Sequence, residues 1–267
     1  MQGARLSVAG AVAAALAVLL AACSSKPIDR TAGWSPNRIH AEAKDELNAG
    51  AYDKAIPLYE TLEGRAAGTT LAQQAQLDKA YALFKDGQKA EAIATLDRFM
   101  RLHPASPAID YALFLKGVIN FNDELGMLSF LARQDLSERD QKAAKEAFES
   151  FNELVTRVPD SRYAPDARAR MRYTINALAQ YEVHVARYYF TRGAYVAAIN
   201  RAQQALADYR DAPSLEEALY ILTQSYDRLG MTELRDDARR VLDRNYPNST
   251  YLTHGLRGAD KPWWQLW

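Results

Sequence analysis

Cysteine occurs once in the 267 residues, at Cys23. No intramolecular disulfide can form, and stability has to come from packing. Neither sign of charge prevails. Thirty-three Lys and Arg face 33 Asp and Glu, which removes the electrostatic case for nucleic acid as a partner. Histidine is scarce: His40, His103, His184 and His254 do not pair with one another, with Cys or with an acid at metal-ligand spacing. A glycine-rich phosphate loop, a Gly-x-Ser-x-Gly elbow and a cysteine nucleophile are all missing. No catalytic residue and no metal are therefore assigned, and Asp53, Glu60 and Glu63 read as solvated helix faces. Long apolar runs are missing too, apart from Leu6–Leu20. Its about 15 residues fall short of the roughly 20 that span a bilayer.

What is present begins with that run. Arg5 precedes it, and Leu20-Ala21-Ala22 leads into Cys23. It reads as the apolar region of a secretory signal. Small residues before a cysteine resemble the lipobox of bacterial lipoproteins. The resemblance implies a signal peptide over 1–22, cleavage after Ala22, and a diacylglycerol thioether plus an N-acyl chain on Cys23. No other cofactor is expected. Two or more acyl chains, at about 0.8 kcal/mol per buried methylene, give stable anchoring. The alternative is an ordinary secretory signal with a cysteine near its end. Ser24 stands where Asp would resemble an inner-membrane retention signal, so the implied address is the periplasmic face of the outer membrane. Cleavage removes Arg5 alone among charged residues, leaving 32 basic against 33 acidic. Residues 23–35 read as a lipidated, flexible tether, with Ser35-Pro36 as a helix start.

From Pro36 onward helix signals dominate and no long alternating strand pattern occurs. Gly50-Ala51-Tyr52-Asp53-Lys54-Ala55 recurs at Gly87–Ala92 and Gly193–Ala198, and more weakly at Gly230–Leu234. Gly50 to Gly87 and Gly193 to Gly230 are both 37 residues. A second marker trails: His103-Pro104-Ala105-Ser106, Val158-Pro159-Asp160-Ser161 and Tyr246-Pro247-Asn248-Ser249. Gly87 to Pro104 and Gly230 to Pro247 are both 17 residues. Glycine ends a first helix by adopting positive φ. Ala55, Ala92 and Ala198 let a second helix approach closely, and Tyr59 and Leu96 fill the gap beyond. The closing proline stops the second helix, and the serine is placed to cap the next. In a displaced third unit Ala147 and Phe151 take the alanine and bulky positions, and extra residues near 122–141 separate its helices. The pattern resembles the tetratricopeptide repeat. The expected fold is all-α, an α-solenoid of about five helix pairs. Three pairs fall over 36–161 and two over 162–250, with a tryptophan-rich tail over 251–267. The first helix of the fourth pair is expected to be long, from Pro165 to Tyr189.

Stacked first helices offer a groove for peptides. Candidate lining includes His40, Lys44, Gln73, Gln76, Tyr81, Asp110, Tyr111 and Phe114, although a tyrosine at helical spacing is more often packing. Tyr181, Tyr188, Tyr189, Phe190 and Tyr195 read mostly as packing between repeats. Leu125, Met127, Leu128, Phe130 and Leu131 of the insertion read as folded onto the array rather than as a partner surface. For Trp263, Trp264 and Trp267, docking on the last repeat, binding a partner and entering a membrane interface all stay open.

Ala49–Ile56, Glu182–Tyr189, Arg192–Arg201 and Tyr246–Ser249 resemble the BamD family of ComL-type outer-membrane assembly lipoproteins. The resemblance implies a non-enzymatic subunit of the machinery that inserts β-barrel proteins into the outer membrane. Its N-terminal repeats would receive unfolded barrel substrates near Tyr52, Tyr81 and Tyr111. Its C-terminal repeats would hold the periplasmic domains of the BamA subunit near Arg187, Arg192, Tyr195 and Arg201, with other Bam lipoproteins alongside. Arg201, on a second helix, either reaches a partner carboxylate or is simply a solubilising residue. The rival readings are a lipidated adaptor for cell-wall or division enzymes and a delivery subunit for a periplasmic protease.

Overall fold

The computed structural model describes residues 30–121 and 138–259. Cys23, the signal segment 1–22, most of the 122–141 insertion and the three tail tryptophans lie outside the described residues. Eleven helices and no strand occur among them. They are α1 Pro36–Asn48, α2 Tyr52–Arg65, α3 Thr70–Lys85, α4 Lys89–Leu102, α5 Ile109–Asn120, α6 Glu138–Arg157, α7 Ala164–Thr191, α8 Tyr195–Asp208, α9 Leu215–Arg228, α10 Thr232–Asn245 and α11 Thr250–Ala259. The first ten follow the order expected of five pairs; α1 packs on α2, α5 on α6, α7 on α8 and α9 on α10, and α7 matches the long helix expected from Pro165.

The four repeat glycines end first helices as anticipated. Gly50, Gly87, Gly193 and Gly230 have φ of 77°, 82°, 78° and 70°. In each case the next amide reaches back to close the helix end. Gln88 N donates to Leu83 O at 2.9 Å and Gly87 N to Phe84 O at 3.1 Å, the pairing of a Schellman motif. A Cβ at any of the four would have nothing within 4 Å, so backbone conformation, not space, demands glycine. Ala55, Ala92, Ala147 and Ala198 are fully buried, as are Tyr59, Leu96 and Phe151.

The serine of the second marker does something other than cap a helix. The residues flanking α5 and α7 are Ala108 and Tyr163, which supply no side-chain cap. Ser106 and Ser161 lie two residues earlier and accept from Ala108 N and Tyr163 N at 3.4 and 3.2 Å. Their own amides donate to His103 O and Val158 O at 3.0 Å. The Pro-x-Ser motif thus builds the turn after a second helix.

The chain divides into two compact units after Ala75. In the first, Ile39, Ala43, Ala55, Tyr59, Leu62, Ala72 and Ala75 form one core, with Trp34 packed against it. The expected tether ends earlier than residue 35. Trp34 N donates to Thr31 O at 2.8 Å, Arg65 holds the Thr31 and Trp34 carbonyls, and Arg38 sits 4.4 Å over the Trp34 ring. Packing of the indole fixes the segment before α1 begins.

In the second unit each helix from α4 to α10 packs on its neighbour in sequence, and α7 also packs on α9. α5 and α6 come close at Gly117. A Cβ there would meet Phe151 Cδ1 and Cζ at 2.7 and 2.8 Å. The core of α7, α8 and α9 joins Val183, Ala186, Ala198, Ala202, Ala218, Ile221 and Leu222. α11, which the repeat pattern does not foretell, packs on α9: Tyr251 stacks on Tyr220 at 5.7 Å. No described helix is long and apolar enough to cross a membrane.

Candidate functional site

An aromatic face and a basic face stand out in the second unit. The aromatic face grows from the α5 start and the turn into α7. Asp110 ties the two together: its carboxylate accepts from Ser161 Oγ at 2.6 Å and from Tyr111 N at 2.7 Å. This holds Tyr163 5.8 Å from Tyr111 and stacked on Phe114 at 4.7 Å. Phe121 meets Tyr173 edge-on at 5.5 Å, under the Arg170 guanidinium at 4.8 Å. The Arg162 guanidinium covers Tyr163 at 4.7 Å. Burial, then the charge of Asp78 and the neighbouring Tyr163 and Tyr81, pushes the Tyr111 hydroxyl up to about 12. It is therefore a neutral donor at any physiological pH.

Of the three candidate tyrosines, the fold gathers Tyr81 and Tyr111 into this face and places Tyr52, half-buried, at the first residue of α2 in the other unit. Tyr163 and Arg162 belong to the face but were not among the candidate site residues; Arg162 stands out in the sequence only as part of an arginine-rich linker with Arg168, Arg170 and Arg172. The sequence signal for Tyr163 and Arg162 as face residues was Ser161, whose marker positions the residues that follow.

The basic face lies around the α7–α8 turn. Arg192 is exposed and lies 4.2 Å over Tyr188. Tyr188 and Val196 are 48% and 60% exposed, so Tyr188 is the surface member of an aromatic group whose other four residues are half-buried. Tyr195, half-buried, packs edge-on to Phe190 at 5.7 Å. Arg201 donates to Glu182 at 3.1 Å, with its own side chain 45% exposed. One edge of its guanidinium holds Glu182 while the rest faces solvent. Arg187 differs: both its Nε and Nη2 close on buried Glu217. Tyr251 donates to the same carboxylate at 3.1 Å, and burial followed by that charge raises its hydroxyl pKa. Arg192 and Arg201 present side chains outward, Tyr195 is half-buried against Phe190, and Arg187 is turned into the fold.

No cluster of His, Cys, Asp and Glu among the described residues is placed to hold a metal. What both faces offer is contact: aromatic rings of fixed orientation, and guanidinium groups beside them.

Known proteins match over nearly the same span. A chain of Neisseria meningitidis serogroup A named outer membrane protein assembly factor BamD is 47% identical over 257 residues, covering 94% of this chain and 96% of the relative. A Vibrio cholerae protein of the same name is 34% identical over 227 residues, 85% of this chain and 94% of its own. One from Haemophilus influenzae is 31% identical over 233 residues, 86% and 88% of the two chains. The family model YfiO, described as outer membrane lipoprotein, matches residues 33–242. That match opens just ahead of α1 and closes inside α10, taking in both faces and every helix pair. The chain belongs to the YfiO family of outer membrane lipoproteins.

Proposed function

We propose that this protein is a lipid-anchored, non-catalytic subunit of the machinery that assembles β-barrel proteins in the outer membrane. The observation that carries the reading is the 47% identity with a named assembly factor over 94% of the chain. Cys23 bears the lipid and holds the repeats at the periplasmic face. The Tyr81–Tyr111–Tyr163 face receives an unfolded barrel substrate: an extended segment lays its aromatic side chains against fixed rings, at little further cost in side-chain ordering. Tyr52 adds a contact in the first unit. The basic face, with Arg192, Tyr195, Arg201 and exposed Tyr188, docks a periplasmic domain of the barrel-forming BamA subunit through carboxylates. Arg187 supports that face from within. Tethering substrate beside the insertion site raises its effective concentration there.

The reading is tested by cross-linked co-purification from membranes with a tagged chain. A β-barrel subunit in the eluate supports it. A cell-wall hydrolase or a protease in its place overturns it. Arg201→Glu is expected to weaken capture of that subunit. Because Arg201 also neutralises Glu182, Arg201→Gln is the cleaner variant. It removes the charge without reversing it beside Glu182, so capture falls while the helical circular dichroism is retained and the melting temperature drops less than in Arg201→Glu.

A further inference from the structure

α10 is a bare helix: among its fourteen residues only Leu242 is buried. Leu234 and Val241 are 48% and 44% exposed. Seven residues apart, they share one side of the helix. Leu229 and Met231, at the turn that enters the helix, are also exposed. A depression of about 300 Å³ is lined by Met231, Thr232, Glu233 and Leu234. Around this strip three arginines are neutralised by carboxylates. Arg235 pairs with Asp227 and Asp236, Arg239 with Asp243, and Arg240 with Asp237. The outcome is an apolar strip flanked by neutralised arginines, a surface suited to an apolar occupant rather than a charged one.

We propose that the occupant is this chain's own segment Trp263–Trp267. Four of its five residues are large and apolar: Trp263, Trp264, Leu266 and Trp267. Each indole has 150–250 Å² or so to bury. The connection from Ala259 to Trp263 is short, which favours capture in cis. α10 and α11 both pack on α9, and neighbouring helix axes lie about 8–10 Å apart. Trp263 lies four residues past Ala259 and so within about 13 Å of it, and Trp267 within about 26 Å. Trp263 to Trp267 spans roughly 13 Å when extended, and Leu234 to Val241 spans roughly 10 Å along the helix. A tether this short gives an effective concentration on the order of millimolar, which a free partner of equal affinity does not reach. Any partner that takes the outer side of α10 must first displace the tail.

Trp34 is the one tryptophan outside the tail, so Trp34→Phe leaves fluorescence that reports on the tail alone. In the full-length Trp34→Phe chain, held in one mild detergent throughout, the emission is expected to be blue-shifted and shielded from acrylamide. Leu234→Glu or Val241→Glu should shift it to the red and open it to the quencher, with circular dichroism unchanged. A second measurement does not depend on those variants being well behaved. Deleting residues 260–267 should lower the melting temperature of the parent and leave that of Val241→Glu unmoved. The proposal is overturned by tail emission that already matches free tryptophan or that ignores both strip variants. It is equally overturned by shielding that grows with protein concentration, which marks a second copy as the occupant, or by additive effects of the deletion and Val241→Glu.

Discussion

Arg187 of α7 and Glu217 of α9 close on each other as a fork, Nε on one carboxylate oxygen and Nη2 on the other. The Glu217 side chain is 7% exposed and that of Arg187 26%. Tyr251 of α11 adds a third donor at 3.1 Å, so one buried acid fastens three helices. The two halves of the pair are unequal. Removing the arginine strands a carboxylate away from water, whereas removing the charge from the acid leaves a guanidinium that water still reaches. Arg187→Met should therefore cost about 2–4 kcal/mol and Glu217→Gln about 1 kcal/mol. Urea titrations of both variants measure the difference. Equal losses would mean that the acid is better hydrated than its burial indicates.

Gly117 is where α5 can afford no side chain, because Phe151 of α6 occupies the place of its Cβ. Gly117→Ala is expected to cost about 1–3 kcal/mol by overpacking. Phe151→Leu makes room, at the price of a smaller core residue. The pair should be less destabilised than the sum of the singles, with a coupling of about 1 kcal/mol or more. Thermal melts of the four-member cycle decide it, and strict additivity would show that the helices simply move apart.

The repeat was legible because its markers are local. A glycine that must adopt positive φ, an alanine at a helix crossing and a proline that stops a helix each act within a few residues, and Gly87, Ala92 and Pro104 sit where their chemistry requires. Relations across the fold were less visible. Arg187 looks like a surface arginine until Glu217, thirty residues on, is folded against it. Tyr163 joins the aromatic face only through the Ser161–Asp110 bond, which links positions 51 residues apart. α11 was missed because it is not one continuous helix: Gly255, at φ 65° and ψ −170°, kinks it into two short pieces. Its propensity is poor, and what holds it is Tyr251 clasped by Tyr220 and Glu217.

Two glycines with equally open surroundings should answer substitution with opposite signs. Gly87 has φ of 82° and Gly64 lies inside α2 without positive φ, and neither has any atom within 4 Å of an added Cβ. Gly87→Ala forces an L-residue into the left-handed region and should destabilise by about 1–2 kcal/mol. Gly64→Ala relieves the entropy cost of a glycine inside a helix and should stabilise by about 0.5–1 kcal/mol. Chemical denaturation of the two proteins provides the comparison. A loss at both positions would mean that the space around Gly64 is not open in the folded chain.

Stability at alkaline pH should carry the mark of Tyr111. Burial first, then the charge of Asp78, raises its hydroxyl from 10.0 to about 12. A group whose folded pKa is raised contributes stability that is fully present below its unfolded value and is lost as pH climbs through the folded one. The unfolded chain ionises this tyrosine from about pH 10 while the folded chain resists. Melting temperature should thus fall between about 10 and 12 in a way that Tyr111→Phe blunts. Tyr209, raised to about 12 by burial and by Glu182, falls away over the same window, so the variant retains part of the slope. Differential scanning fluorimetry across that range reads the effect. An unchanged slope in Tyr111→Phe would place the Tyr111 hydroxyl in water rather than against Asp78 and Tyr163.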